Sequence, residues 1–179
     1  MEVPSSSSRN NWNTVTVDGG WCGLAWSREG LVRCTLPRSD REAAADATAS
    51  SAGRQGTDDL FDEAARLLKA YYRGERVVFD LPLAPEGMTP FAERVLAACA
   101  RIDYGQIRTY GEVAEAAGSP RAARAVGQAL AANPLLVVIP CHRVVGTGGD
   151  LVGFRGGTDW KKHLLEMEGV DLRTCMIDR

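Results

Sequence analysis

A cysteine and a histidine stand side by side in the stretch IPCHRVV, residues 139–145. A free thiol has a pKa of about 8.5, so only a few per cent of it is thiolate at neutral pH. A nucleophilic Cys141 would therefore need a base, and His142 is the nearest one. Neighbouring side chains of an extended backbone point to opposite faces, so a water could bridge the two. The pair indicates a reactive thiol, although a lone buried cysteine is more often an inert core residue.

A base that activates a nucleophile needs an acid that orients it. Candidates for this acid lie downstream in KKHLLEMEGV, residues 161–170, which is predicted to be a helix. His163, Glu166 and Glu168 are its titratable options.

The apolar run LLVVI, residues 135–139, is the element that must position the thiol. It is typical of a short buried strand, and Pro140 ends the strand because proline has no N–H to donate to a sheet. Cys141 is therefore expected at the point where the chain leaves the core.

Two short helices are predicted just upstream. The first runs from about Tyr110 to Gly118, and the second covers RAARAVGQALAAN, residues 121–133. Two short helices joined by a tight glycine turn suggest a helix-turn-helix. Another helix is predicted over residues 89–102, where Thr89 is the expected cap and proline occupies the first turn.

The second helix of this pair is rich in alanine and glycine, so much of its surface is almost bare. Such a helix can approach either a neighbouring helix or the wall of a groove about 6 Å wide. Arg121 and Arg124 are predicted to share one face of it. Residues 116–149 carry these two arginines and Arg143 with no carboxylate. This stretch fits contact with a polyanion over a small footprint, and three solvated arginines are the alternative.

The first half of the chain predicts a small antiparallel sheet with a helix. Three strands are expected, the first two joined as a hairpin around the turn DGG: WNTVTV (12–17), WCGLAW (21–26) and GLVRCTL (30–36). A loose connection containing at most a short helix is expected over residues 38–59. A helix over 60–75 and a final strand over RVVFDLPL, residues 76–83, complete this half.

These elements predict an α+β fold in three regions. Residues 1–11 are expected to be a disordered, serine-rich tail. Residues 12–87 are expected to form a small N-terminal α/β domain, and residues 88–179 a mainly helical C-terminal domain with the helix-turn-helix.

Composition argues against several classes of protein. The five cysteines include no C-x-x-C pair and no cluster with histidine at zinc spacing, so neither disulfides nor a structural metal is expected. The N-terminus has no basic region followed by an apolar stretch, and no run is long enough to cross a bilayer. We therefore expect a protein of the cytoplasm, associated with the nucleoid if the source is prokaryotic.

Residues 104–169, from YGQIRTYG through RAVG, PCHRV and GG…K…LL…EG, resemble the C-terminal domain of the O6-alkylguanine-DNA alkyltransferases, also called methylated-DNA–protein-cysteine methyltransferases. The resemblance implies a DNA repair protein that flips O6-alkylguanine, and O4-alkylthymine as well, out of duplex DNA. It then moves the alkyl group irreversibly onto its own cysteine, once per molecule. No cofactor is implied, and zinc ligands found in some relatives have no match.

The resemblance also implies roles for individual residues. Cys141 is the acceptor, His142 deprotonates it through a water, and Glu168 orients His142. Arg124 enters the base stack from the minor groove. Tyr110 crowds the phosphate and turns its hydroxyl toward the leaving guanine.

Further residues are implied to bind DNA or the flipped base. Phe154 stands where the family usually has a tyrosine that covers the base, and Asn133 matches the hinge residue between the recognition helix and the active-site turn. Carbonyls of Cys141 and Val144 are expected to accept the guanine amine, and the N–H of Arg155 to bond its O6 oxygen. The remaining contacts are expected from Arg121, Ala125 and Gly127 on the DNA side, and from Leu130 and Leu136 on the pocket wall.

Double-stranded DNA containing O6-alkylguanine, bound through the minor groove, is thus the expected partner, with a monomeric protein that could assemble cooperatively on DNA. Two alternatives stay open. One is a lesion-binding module that flips the base without transferring its alkyl group. The other is a thiol hydrolase or redox sensor, which rests only on the adjacent cysteine and histidine.

Overall fold

A computed structural model describes residues 10–49 and 53–171. The chain divides into two compact units: described residues up to Arg73 with Phe79–Pro85, and Gly74–Val78 with the described residues from Glu86 onward. A sheet with helices makes up the first unit and helices dominate the second, so the α+β prediction is confirmed.

The first unit is built on a four-stranded sheet in the order β3-β2-β1-β4. Its strands are β1 (Asn11–Val17), β2 (Gly20–Trp26), β3 (Leu31–Cys34) and β4 (Arg54–Gln55). The first three are antiparallel neighbours, which confirms the predicted hairpin and third strand, whereas β4 runs parallel to β1.

Two helices belong to this unit, α1 (Arg41–Asp46) and α2 (Asp59–Tyr72). Asp58 caps α2, because its Oδ1 accepts the Phe61 N–H at 3.0 Å. Its Oδ2 accepts the indole N–H of the buried Trp26 at 2.6 Å. One carboxylate therefore starts the helix and ties it to the sheet.

Two predictions for this half are wrong in part. RVVFDLPL, residues 76–83, is not a strand: only Leu83 forms a bridge, to Leu31. Pro82 has no N–H for a ladder, and Val78 is 77% exposed, so the alternating apolar residues have no partner strand. Of the predicted tail, residues 1–11, the first nine residues lie outside the described residues. Asn11 pairs with Trp26 and is therefore already part of the sheet.

The second unit contains four helices and a two-stranded parallel ladder. The helices are α3 (Pro90–Ala100), α4 (Tyr110–Ala116), α5 (Ala123–Ala131) and α6 (Thr158–Met167). The ladder pairs β5 (Arg108–Thr109) with β6 (Val144–Val145). Buried Val95, Val126, Leu164 and Leu165 form much of the core between the helices.

Helices α4 and α5 form the predicted helix-turn-helix. Thr109 and Glu112 make a reciprocal capping box at the start of α4. Gly118, with φ of 72°, supplies the left-handed turn that ends it. Helix α5 begins only at Ala123, so Arg121 precedes it, and the prediction that Arg121 and Arg124 share a helix face is wrong.

Candidate active site

The segment before the cysteine is a tight turn rather than the predicted strand. The Ile139 N–H donates to the Leu135 carbonyl at 2.8 Å, and Val137 adopts φ of 71° between them. Left-handed backbone is unfavourable for a β-branched residue, so the surroundings must impose it. All five residues of the run are buried, as predicted, but no strand within residues 10–49 and 53–171 pairs with them.

Asn133 holds this turn in place. Its side-chain oxygen accepts the Leu135 N–H at 3.0 Å, and its Nδ2 donates to the Ile139 carbonyl at 3.0 Å. The same Nδ2 lies 3.1 Å from Sγ of Cys141. A completely buried amide just after α5 therefore links that helix directly to the thiol.

Cys141 begins a 3₁₀ turn, Cys141–Arg143, at the floor of a cavity of about 490 Å³. The expectation of extended backbone between Cys141 and His142 is therefore wrong. Burial raises the pKa of the Cys141 thiol, while the hydrogen bond from Asn133 and the charge of Lys161 act in the opposite direction. The resting side chain is accordingly a neutral thiol, and a base must take its proton for it to react.

His142 faces a carboxylate at the back of the site. Its Nε2 lies 2.8 Å from Oε1 of Glu168, and both side chains are fully buried. Burial lowers the pKa of His142 below its usual value, although Glu168 opposes this. Because Glu168 accepts the proton on Nε2, the neutral imidazole carries its basic lone pair on Nδ1.

Arg143 completes this group of charges. Its Nε lies 2.9 Å from Oε2 of Glu168 and its Nη2 lies 2.9 Å from Oε1, while Nη1 donates to the Ile102 carbonyl at 2.6 Å. Burial alone would raise the pKa of Glu168, but its hydrogen bonds from His142 and Arg143 lower that pKa to about 2. Arg143 is buried, so grouping it with the arginines that face a polyanion is wrong.

Of the three titratable candidates that the sequence left open, Glu168 is the one that contacts His142. His163 and Glu166 lie on the exposed side of α6, whereas Glu168 is buried at its C-terminal end. The helical repeat explains this, because Glu168 lies three and four residues after the buried Leu165 and Leu164.

The cavity above the thiol brings together most of the predicted contacts. Predicted residues on its lining are Tyr110, Arg124, Gly127, Leu130, Cys141, Phe154 and Arg155. Gln128, Ala131, Val152 and Gly153 line it as well and were not predicted. Arg121, Ala125, Leu136 and Val144 do not line it, so the expectation that Leu136 forms its wall is wrong.

Lys161 is a component of the site that the sequence reasoning missed. Its ammonium group donates to the carbonyls of Val144 at 2.6 Å, Val152 at 2.9 Å and Gly153 at 3.4 Å. The side chain is fully buried, and burial lowers its pKa to about 8. Lys161 shares the helical face of Leu164 and Leu165, and that spacing was the signal available in the sequence.

The Val152 and Gly153 carbonyls have a second donor. The Tyr110 hydroxyl lies 3.0 Å from the Val152 carbonyl and 3.3 Å from that of Gly153. Burial raises the pKa of Tyr110, so its hydroxyl stays protonated and donates. The Val144 carbonyl already accepts Lys161, so binding the guanine amine would require its second lone pair.

Charges at the cavity are of one sign. Arg124 and Arg155 line it, and no carboxylate of the described chain does so. A cationic lining of this kind attracts a polyanion. Within residues 10–49 and 53–171, no three histidine, cysteine or acidic side chains cluster so that they could hold a metal ion. No helix in the same residues is long and apolar enough to span a membrane.

A helix-turn-helix lies beside a cavity that contains Cys141, and the next residue, His142, is paired with Glu168. This combination is that of a nucleic-acid-binding protein with a candidate thiol nucleophile. The family described as "6-O-methylguanine DNA methyltransferase, DNA binding domain" matches residues 90–170. The methylated-DNA–protein-cysteine methyltransferase of Methanosarcina acetivorans is 49% identical over 112 residues, which are 63% of this chain and 71% of that protein. Its counterpart in Mycobacterium leprae is 48% identical over 116 residues, 65% of this chain and 70% of that protein.

Solved structures agree with the sequence matches. The crystal structure of Mycobacterium tuberculosis OGT in complex with DNA has a TM-score of 0.76 and 34% identity, and the match covers 94% of this chain and 99% of that one. The chain belongs to the methylated-DNA–protein-cysteine methyltransferase family. The family resemblance predicted from the sequence is confirmed.

Proposed function

We propose that this protein repairs DNA by moving the alkyl group of O6-alkylguanine onto Sγ of Cys141, once per molecule. The observation that carries the proposal is the position of that sulfur. Cys141 lies at the floor of a cavity lined by α5 and residues 152–155, with the buried His142 and Glu168 next to it. DNA is the partner of the family's DNA-binding domain, which covers this whole site.

The reaction is a single displacement at carbon. The thiol proton passes to Nδ1 of His142 through a water, and the sulfur electron pair attacks the alkyl carbon. The bond between that carbon and O6 breaks, its electrons stay on the guanine, and the guanine takes back the proton. The products are a thioether and unmodified guanine. Because a neutral thioether is a poor leaving group, the protein is consumed.

Each polar neighbour of the sulfur favours this step. A neutral imidazole is the form of His142 that can accept a proton, and its lowered pKa keeps it neutral. The amide of Asn133 donates to the sulfur, which stabilises developing thiolate. Negative charge that develops on the guanine would be met by the N–H of Arg155, for which no partner is found among the described residues.

A base can reach this floor only after it leaves the duplex. Extrusion costs a few kcal/mol of stacking and pairing, and less where the pair is already damaged. We propose that Arg124, exposed on α5 at the edge of the cavity, fills the vacated place in the stack from the minor groove. Small residues such as Ala125 let α5 approach the groove wall, and Arg121 adds a phosphate contact from the preceding turn.

The cavity walls suit a flat base. Phe154 offers a stacking face, and Leu130 contributes apolar surface to the lining. A methyl group added at Gly127 would lie 3.7 Å from the Tyr110 ring, so a larger side chain there would narrow the cavity. The Tyr110 hydroxyl, now bonded to the Val152 carbonyl, would turn toward the guanine when the base arrives.

The proposal is tested by weighing the intact chain after incubation with a duplex that contains one O6-methylguanine. We expect the mass of one methylene to be added, located at Cys141, with the reaction stopping at one equivalent. Cys141→Ser should bind the duplex, and its mass should not change. The matched control is Cys99→Ser, a change at another buried cysteine, which should react like the unaltered protein.

Other outcomes identify the alternatives. A lesion-binding module would show affinity without a change of mass, and a thiol hydrolase would turn over an ester repeatedly. Alkylation of Cys141→Ser at another cysteine would refute the site assignment. The same assay with O4-methylthymine tests the second expected substrate, and the mass of the free and DNA-bound protein tests the proposed monomer.

A further inference from the structure

We infer that the Arg155 side chain is a positioning residue, which fixes the outer wall of the cavity by binding the C-terminal end of α5. This inference deepens the proposed function and rests on it. It concerns the guanidinium group, in contrast to the backbone N–H that is proposed to meet the guanine oxygen. The wall in question is the pocket loop, defined as residues 152–157.

The contact itself is a cap supplied from outside the helix. Nη1 of Arg155 lies 3.1 Å from the Asn133 carbonyl and 3.5 Å from that of Ala132. Carbonyls at a helix C-terminus have no partner within the helix and carry partial negative charge. The last turn of α5 contains no basic residue of its own. Arg155 therefore provides the cation that this helix end lacks.

Two other side chains hold the start of the pocket loop. Lys161 and Tyr110 bind the carbonyls of Val152 and Gly153, and Lys161 is completely buried. Phe154 follows directly, between these bonds and Arg155, with its ring centroid 6.4 Å from that of His142. Phe154 thus lies between the buried Lys161 on one side and the exposed Arg155 on the other.

The second attachment is joined to the residue that holds the sulfur. The backbone carbonyl of Asn133 accepts a hydrogen bond from the Arg155 guanidinium, and its side-chain amide donates one to Sγ of Cys141. Loss of the guanidinium would remove the bond that holds the loop at Arg155 and one restraint on Asn133. Both effects lower the fraction of molecules in which the aromatic wall and the sulfur face the base together.

The decisive comparison is between a duplex with O6-methylguanine and free O6-benzylguanine. If Arg155 positions the wall, Arg155→Ala should slow both reactions by a similar factor of about ten, since one charge-assisted hydrogen bond and a helix-terminal charge are lost. Arg155→Lys keeps a cation that can reach the helix end and should recover much of both rates. Lys162→Ala removes an exposed charge of the same sign from α6 and should leave both unchanged.

A second readout does not depend on alkyl transfer. Amide hydrogen exchange followed by mass spectrometry should show faster exchange over the pocket loop in Arg155→Ala than in the unaltered protein or Lys162→Ala. Unchanged exchange would overturn the inference. So would a loss of rate confined to the duplex, which is the mark of a phosphate contact. If the unaltered protein reacts with neither substrate, the proposed function fails, and the exchange experiment still decides the role of Arg155.

Discussion

Glu168→Gln removes a carboxylate on which two buried side chains depend. Glu168 binds Nε2 of His142 and the guanidinium of Arg143, and its Oε2 also accepts the Gly105 N–H at 3.1 Å. Glutamine keeps the shape and one acceptor, but its amide cannot balance the buried charge of Arg143. The substitution therefore tests whether this group of charges stabilises the fold.

The size of the effect follows from the pKa of Glu168. Its hydrogen bonds lower the pKa from 4.5 to about 2 against the opposing effect of burial. Each pKa unit corresponds to about 1.4 kcal/mol, so ionised Glu168 contributes about 3 kcal/mol to the free energy of unfolding at pH 7. Breaking a buried ion pair by removing one partner costs about 3–5 kcal/mol, which agrees. We expect Glu168→Gln to lower the free energy of unfolding by about 3 kcal/mol.

The measurement is urea unfolding followed by circular dichroism at several pH values. A carboxyl whose folded pKa is lowered stabilises the protein above its unfolded pKa, and this contribution is lost as pH falls through the folded pKa. The difference between the unaltered protein and Glu168→Gln should therefore be full above pH 4.5 and shrink toward pH 2.

Glu166→Gln is the matched control, because Glu166 lies on the same helix but is exposed, 3.7 Å from Lys162. Surface pairs contribute little, so its unfolding curve should match that of the unaltered protein. If Glu168→Gln unfolded like this control at pH 7, or if its deficit were the same at pH 3 as at pH 7, the reasoning from the pKa would be wrong.

Two further predictions concern the reaction. Arg124→Ala should slow repair of a duplex about 10- to 100-fold, because part of the extrusion energy is no longer offset. It should leave the reaction with free O6-benzylguanine almost unchanged, and equal losses on both substrates would count against the proposed role. Lys161→Met keeps the apolar stem but leaves the Val144, Val152 and Gly153 carbonyls without their buried donor. The substitution should slow the reactions with both substrates about tenfold or more, because each lost hydrogen bond to a charged group is worth about 1.5–3 kcal/mol. Lys162→Met, the control, should leave both rates unchanged.

The secondary structure that the sequence predicted well is of the kind that local signals decide. Thr89 caps α3 as predicted, and α4 begins at Tyr110 and ends at the turn of Gly118 as predicted. The DGG turn and the alternation on both sides of it place the hairpin. Each of these depends on side chains a few residues apart, so one stretch of sequence contains the whole cause.

The errors occur where a distant partner decides. LLVVI has the composition of a strand, yet it folds into a turn in which the amide of Asn133 bonds the Leu135 N–H and the Ile139 carbonyl. RVVFDLPL alternates like a strand, but only Leu83 meets another strand. An apolar run shows that a segment will be buried, and the segment's hydrogen bonds depend on what lies beside it.

The same limit applies to charged residues in the site. Arg143 and Lys161 look like ordinary surface cations in the sequence, and both are buried. Arg143 is paired with Glu168, 25 residues away, and Lys161 is bonded to three backbone carbonyls. A backbone carbonyl that will accept a side chain has no local sequence pattern. Of the acids in 161–170, Glu168 could have been chosen from its spacing to Leu164 and Leu165 alone.

The raised pKa of Cys141 is consistent with a protein that reacts once. A sulfur that was thiolate at rest would be alkylated or oxidised by any small electrophile that entered the cavity, and the molecule would be lost. Burial raises the pKa of Cys141 and keeps it protonated. In the proposed reaction the neutral His142 takes the thiol proton, and Asn133 stabilises the thiolate. Deprotonation then becomes productive only when an alkyl carbon is present to receive the electron pair. In the proposed reaction, low reactivity at rest and transfer to a bound base therefore depend on the same arrangement.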